Sequence, residues 1–362
     1  MTDRYGPWRR RLAALAEAGR TRRTRPVTPT GATTALVEGR PAIVACSNDY
    51  LGLSWDPAVR AAAAGGGAGA SRLVGGTRPV HERLEQALGE RFGGSALLFP
   101  STWHANLSVF SALLEAGDLV ASDALNHASI IDGLRLGRAR RVVVPHGATD
   151  RVPPDARMAV FEGLFSMDGD TVDLSACPPA AWLAVDEAHA VGALGPDGRG
   201  VAAAQGIRPD VLIGALGKAY GAAGGFVVGP SELRELLVNA GRSFLFTTAP
   251  PEPVAAMALA GLARATEALR EQLAENTRVL RAALGQLGWR PLGEAHIVPI
   301  VVGPGAMELS DRLLDRGVFA PGIRFPTVPA GQERIRLTLS AAHTAEQLAR
   351  IADAFGPAPE TG

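Results

Sequence analysis

Lys218 stands just beyond an apolar run, Val211-Leu212-Ile213, with Gly217 before it and a glycine-rich stretch leading on to Gly225. Burial disfavours an ammonium and lowers its pKa, so a lysine placed after a buried strand is either paired or chemically employed. Two uses fit: a Schiff base with a carbonyl, or the plainer one of a surface lysine on a turn. Asp186, in Asp186-Glu187-Ala188-His189, closes another apolar run, Trp182 to Val185. An acid there stays charged when it faces a cation, and it equally suits a helix N-cap. His189 taken alone reads as a core histidine. Together the three residues make a different sense. Pyridoxal phosphate needs a lysine for its imine, a carboxylate to keep the ring nitrogen protonated and a donor near the ring hydroxyl.

Other candidates sit in the same kind of place. His127, in Asn126-His127-Ala128-Ser129, follows Leu119-Val120-Ala121 and suits either stacking on a planar ring or starting a helix. Ser166, in the polar loop Phe165 to Asp170, can bond a cofactor hydroxyl or simply form a turn. Ser101, Thr102 and Trp103 form a turn between the strand-like Ala96 to Phe99 and a helix, and free N–H groups at a helix start suit a phosphate. Thr247 and Thr248 can bond a phosphate or end a strand. The basic run Arg20, Arg22, Arg23 and Arg25 reads as a solvated loop that catches a phosphate or carboxylate if it lies beside a site.

The elements that must hold these residues alternate. Apolar runs at 96–99, 119–121, 142–144, 158–161, 182–185, 211–213 and 225–228 predict strands, with helical spacing over 80–92 and from Ser129. Such alternation predicts an α/β fold with a mostly parallel sheet covered by helices on both faces. Ligands of these sheets lie beyond the carboxyl ends of the strands, where the candidates fall. An amphipathic helix over 7–18 and a short hairpin across Gly39-Arg40 precede them. The Ala/Gly run from Ala61 to Ala70 reads as a loop or a close backbone approach. After the break Pro250-Pro251-Glu252-Pro253 comes a long helical region, Val254 to Leu287. A strand over 296–302, a helix over 309–316, a strand over 335–339 and a helix over 344–355 close a smaller α+β lobe. The expected division is an arm and small-lobe segment 1–45, a large domain 46–249 and a small domain 250–362.

Composition narrows the partners. The 362 residues carry 36 basic and 36 acidic side chains, a formal net charge of +0, which asks for neither nucleic acid nor an anionic membrane. The two cysteines, Cys46 and Cys177, have no histidines at metal-ligand spacing, so no metal is expected. No apolar run is long enough to cross a bilayer, and the chain reads as soluble and cytoplasmic. The run Gly65-Gly66-Gly67-Ala68-Gly69 does not follow a strand, so it fails as a nicotinamide-binding fingerprint.

Taken in order, Ser47-Asn48-Asp49-Tyr50-Leu51-Gly52, Asn126 to Ser129, Ser166 to Asp170, Asp186 to His189, Gly217-Lys218 and Arg334-Ile335-Arg336-Leu337-Thr338 resemble the α-oxoamine synthases, fold-type I pyridoxal-phosphate enzymes. The resemblance runs from about Arg22 to the last helix. It implies that Lys218 forms the Schiff base and then acts as the base, that Asp186 pairs with the ring nitrogen and that His127 stacks on the ring. His189 and Ser166 would meet the ring hydroxyl. The turn Ser101-Thr102-Trp103 would hold the phosphate, helped by Thr247 or Thr248 across a homodimer interface. Asn48 and Arg336 would hold the amino-acid carboxylate, with Arg22 and Thr327 lining the acyl side. Arg324, in Ile323 to Pro329, would suit the far carboxylate of a pimeloyl chain. The implied reaction is a decarboxylative condensation of L-alanine with a pimeloyl thioester of CoA or carrier protein. A sister transferase joining glycine to acetyl-CoA, or a catalytically idle pyridoxal-phosphate fold, are the alternatives. Thr102, Ala190 and Ala215 depart from the family's usual Gly, Gly and Thr or Ser. Losing a hydroxyl bond to a phosphate at position 215 costs about 1.5–3 kcal/mol.

Overall fold

A computed structural model describes residues 3–179 and 181–359. Three strands open it: β1 (Val27–Pro29), β2 (Thr34–Val37) and β3 (Arg40–Val44). The central sheet follows with β4 (Ser95–Phe99), β5 (Leu119–Asp123), β6 (Arg140–Val144), β7 (Met158–Glu162), β8 (Trp182–Asp186), β9 (Val211–Ala215) and β10 (Gly225–Gly229). Its spatial order is β4-β10-β9-β8-β7-β5-β6. The last strands are β11 (Ile297–Val301), β12 (Val318–Phe319), β13 (Gly322–Ile323) and β14 (Arg334–Thr338).

Strands β5 to β9 pair in parallel with one another, as the alternation predicts. β5, β7, β9 and β10 are buried along their whole length, the pattern of a sheet covered on both faces. The side chains alternate between two cores. Leu97, Phe99, Val160, Ile213 and Val227 pack with Ala105, Val109 and Phe110 of the helix Thr102–Leu113. On the other face, Leu98, Leu212 and Phe226 pack with Leu84 and Leu88 of the helix Pro79–Phe92. Gly214 faces Phe226 across β9 and β10, and a Cβ there would lie 2.2 Å from the Phe226 ring, so only glycine fits this close approach.

β10 runs antiparallel to both β9 and β4, so β4 points the same way as the parallel strands. The carboxyl ends of β4, β5, β7, β8 and β9 therefore lie along one edge of the sheet. The expected long helix 254–287 is two helices, Glu252–Arg264 and Glu267–Gln286. The break is not at a proline or glycine: Ala265 and Thr266 leave the helical region, and the Ala265 carbonyl accepts a bond from the Arg270 guanidinium at 3.0 Å. An internal side-chain donor thus satisfies the carbonyl, a signal that apolar periodicity does not carry. β12 joins β3 in parallel, tying the opening segment to the C-terminal part, while β11-β14-β13 form a separate antiparallel sheet. Among the described residues no helix is long and apolar enough to cross a membrane.

Candidate active site

β8 ends at Asp186 and β7 at Glu162, and the two residues are direct partners across the strands. Both are buried. Asn106 donates to Asp186 Oδ2 at 2.9 Å and the Ala188 N–H to Oδ1 at 3.0 Å. Glu162 accepts from the His127 N–H at 2.6 Å. Desolvation first, and then the Asp186 charge, raise the Glu162 pKa well above the carboxylate range. Burial and a neighbouring negative charge both favour the neutral form of a carboxyl group.

Lys218 lies in the loop after β9 and is half-buried. Desolvation pulls its pKa down to about 8; Asp186 and Glu162 work against that pull and Arg336 adds to it. About a tenth of such an amine is unprotonated near pH 7, enough for nucleophilic and proton-transfer work. Desolvation and the Lys218 cation also hold His189 well below its ordinary value, so its imidazole is neutral. Desolvation likewise lowers the pKa of His127, whose Nδ1 lies 2.7 Å from the Ser129 hydroxyl. His127 and Trp103 are both exposed, and their rings meet edge to face at 5.9 Å.

The helix Thr102–Leu113 begins where β4 ends. Ser101 Oγ accepts the His104 N–H at 3.3 Å, while the N–H groups of Thr102 and Trp103 precede the helix's own ladder. Gly225 leaves room beside them, since a Cβ there would fall 2.4 Å from Thr102 N. Thr102 is accommodated, with its hydroxyl donating to the Gly214 carbonyl at 3.3 Å. Ala190 is buried on backbone of negative φ, the positive φ falling at Gly192 instead, so the missing glycine costs nothing there. Ala215 is buried opposite Gly225 and brings no hydroxyl to the cradle. A lysine of lowered pKa, a buried carboxylate, a neutral histidine and a helix start with open N–H groups converge on one sheet edge. Their chemistry fits pyridoxal phosphate.

Asn48 Oδ1 lies 3.2 Å from the Tyr50 hydroxyl. Arg336 donates to the Ser166 carbonyl at 3.2 Å, and buried Arg334 pairs with Asp168 at 2.7 Å in the same loop. Arg22 donates to the Thr327 hydroxyl at 3.2 Å. Arg22, Arg324 and Thr327 line a cavity of about 560 Å³ together with Arg23 and Arg25. The Arg324 guanidinium donates to the Gly19 carbonyl, and at 2.6 Å to that of Thr21, so it also ties down the arm. Thr248 forms an antiparallel bridge with Ser71, and Thr247 is half-buried beside it.

Sequence reasoning left out Glu162, Asn106, Tyr50 and His146. Glu162 had a signal, because it ends its strand as Asp186 ends the next. His146 had none. Its Nδ1 meets Asp123 at 3.0 Å and its Nε2 meets Asp170 at 2.8 Å, and hydrogen bonds to these two acids raise its pKa to about 10. It thereby ties the ends of β5 and β6 to the Ser166 loop. A pKa raised on folding stabilises fully below the unfolded value near 6.5, and the effect fades as pH climbs toward 10. His146→Asn is therefore expected to lower Tm most at pH 6 and hardly at pH 10, which thermal melts across that range check.

The fold and site define a pyridoxal-phosphate enzyme of fold type I. Residues 41–355 match the aminotransferase class I and II family. The chain is 44% identical to 8-amino-7-oxononanoate synthase of Anaeromyxobacter dehalogenans, covering 97% of this chain and 96% of that one. It is 42% identical to the synthase of Geobacter sulfurreducens, covering 95% of each. A serine palmitoyltransferase from S. paucimobilis, solved with PLP and myriocin bound, superposes with a TM-score of 0.90 at 30% identity, over 98% of this chain and 97% of that one. The 8-amino-7-oxononanoate synthase of Francisella tularensis gives 0.76 at 25% identity, over 87% and 96%. The chain belongs to the 8-amino-7-oxononanoate synthase family, within the class I and II aminotransferases.

Proposed function

We propose that this protein condenses L-alanine with a pimeloyl thioester to give 8-amino-7-oxononanoate, and that the observation carrying this chemistry is Lys218, brought down to a pKa of about 8 by desolvation against the opposing charges of Asp186 and Glu162. Bound pyridoxal phosphate supplies the electron sink that makes the alanine Cα–H acidic. Asp186, its carboxyl group fixed by Asn106 and the Ala188 N–H, would pair with the ring nitrogen. The Thr102 and Trp103 N–H groups would hold the phosphate. Arg336 and Asn48 hold the alanine carboxylate, a charge-assisted pairing that arginine serves with two donors. Lys218 removes the Cα proton. A bond then forms between Cα and the thioester carbonyl carbon, the thiolate leaves and takes a proton from solvent, the carboxylate departs as CO2, and Lys218 returns its proton to Cα. Arg22, Thr327 and Arg324 receive the acyl chain in their shared cavity.

The same reading takes residues 46–249 as the cofactor domain and 250–362 with the arm 1–45 as a lobe closing over it. Two copies would complete each site, with Thr247 or Thr248 from the partner subunit reaching the phosphate. The greater likeness in shape to serine palmitoyltransferase does not decide the substrate, because that similarity spans the whole fold at only 30% identity. The synthases, at 42–44% over nearly full length, carry more weight. Purified holoenzyme is expected to form a product of the mass of 8-amino-7-oxononanoate from L-alanine and pimeloyl-CoA. Faster turnover of glycine with acetyl-CoA, or of serine with palmitoyl-CoA, would sink this assignment.

A further inference from the structure

Tyr50 is fully buried, and its ring packs against that of His296 at 4.0 Å. Its hydroxyl has two neighbours, Asn48 Oδ1 at 3.2 Å and His189 Nδ1 at 2.5 Å. A phenol has one proton to donate, and burial keeps Tyr50 protonated far above neutral pH. His189 is neutral, so its ring carries one N–H. These counts restrict the chain of bonds to two arrangements. If Asn48 turns its oxygen to Tyr50, the phenol proton goes to Asn48, and the phenol oxygen accepts from His189 Nδ1–H. His189 Nε2 is then a bare acceptor. If Asn48 turns its NH2 to Tyr50, every bond reverses and Nε2 carries the hydrogen.

We propose that Tyr50 is a positioning residue that sets the His189 tautomer from the orientation of the Asn48 amide, and so couples amino-acid binding at Asn48 to the protonation of the cofactor's ring oxygen at His189. The inference rests on the roles proposed above for Asn48 and His189. It gives a direction. An Asn48 NH2 engaged by the alanine carboxylate leaves Oδ1 for Tyr50, places the hydrogen on His189 Nδ1 and leaves Nε2 to accept from the ring hydroxyl. Alanine binding thereby favours the protonated ring oxygen, without any movement of the backbone.

The test uses holoenzyme and the Tyr50→Phe variant, which removes one oxygen and keeps the packed ring. Nitrogen-15 chemical shifts of His189, assigned with His189→Gln, report which ring nitrogen carries the hydrogen. In the natural protein saturating L-alanine is expected to place it on Nδ1. In Tyr50→Phe the tautomer is expected to stop responding to L-alanine, and KM for L-alanine to rise about 5- to 10-fold with kcat changed less than threefold. Asn48→Ala, which also removes a contact to the alanine carboxylate, is expected to raise KM further in the Tyr50→Phe background but to leave the His189 tautomer as Tyr50→Phe alone has it. If L-alanine changes the cofactor's visible absorbance in the natural protein but not the His189 tautomer, the Tyr50 inference falls and the reading of the site stands; if it changes neither, the reading of the site falls and the inference with it. If the natural protein's tautomer responds and Tyr50→Phe matches it in both tautomer and KM, the Tyr50 inference alone falls. If Tyr50→Phe does not fold, Asn48→Asp replaces it: an ionised carboxylate can only accept, and is expected to lock the hydrogen on Nδ1 before L-alanine is added. A mixed tautomer in that variant overturns the proposal.

Discussion

Lys218→Ala is expected to cut condensation of L-alanine with the thioester by at least about 10⁴-fold. Loss of a positioned proton-transfer group alone removes about 10²–10⁴ in rate, and this lysine is also the covalent anchor. The variant is expected to fold. Desolvation lowers the Lys218 pKa in the native state, so its charge opposes folding, and removing it is expected to leave Tm unchanged or raised. That separates a chemical loss from a structural one. Lys218→Arg is the sharper control, because it keeps a cation beside Asp186 and Glu162 yet cannot form the imine. The natural protein also has a pH signature. Only the neutral amine attacks a carbonyl, so uptake of the aldehyde cofactor by the cofactor-free protein is expected to speed up about tenfold per pH unit below 8 and level off above it. Visible absorbance after mixing reads this directly. A flat profile, or Lys218→Ala activity within tenfold of the natural protein, would remove Lys218 from the chemistry.

The sheet, and the strand ends that carry the candidate residues, were legible because both rest on local patterns. Continuous apolar runs gave the buried strands, and the candidate residues Asp186 and Lys218 fall where those runs stop, at the end of β8 and just after β9. Pairings between distant segments were not legible. His146 gains its partners only when β5, β6 and the Ser166 loop come together, since Asp123 and Asp170 lie 23 and 24 residues away. Tyr50 and His189 are 139 residues apart. The helix break at Ala265 was missed for a related reason: a guanidinium satisfies the freed carbonyl, and no helix-breaking residue marks the place. The departure at Thr102 became understandable only through the Gly214 carbonyl, which its hydroxyl reaches across the fold.

Asp186→Asn is expected to lower kcat by about 10³-fold, the scale of removing one preorganised electrostatic group, with the fold intact. The substitution keeps the side chain's shape, and its surroundings can absorb the exchange of an oxygen for an NH2. Asn106 now donates to both Asp186 Oδ2 and Ser129 Oγ, and its own Oδ1 is buried without a partner. Turning the Asn106 amide offers that oxygen to the new NH2, and the Ser129 hydroxyl can donate where it accepted before. What changes is charge. Asp186 works against the desolvation that lowers the Lys218 pKa, and adds to the desolvation that raises that of Glu162. Without it, Lys218 is expected to titrate below 8, moving the cofactor-uptake profile toward acid, and Glu162 is expected to ionise more readily. Glu162 is held at Oε1 by the His127 N–H at 2.6 Å, so it is expected not to replace Asp186 at the ring nitrogen. Asp186→Asn combined with Glu162→Gln should therefore lose little further kcat. A single Asp186→Asn variant within tenfold of full activity, and a double variant far below it, would place the charge that matters on Glu162 instead.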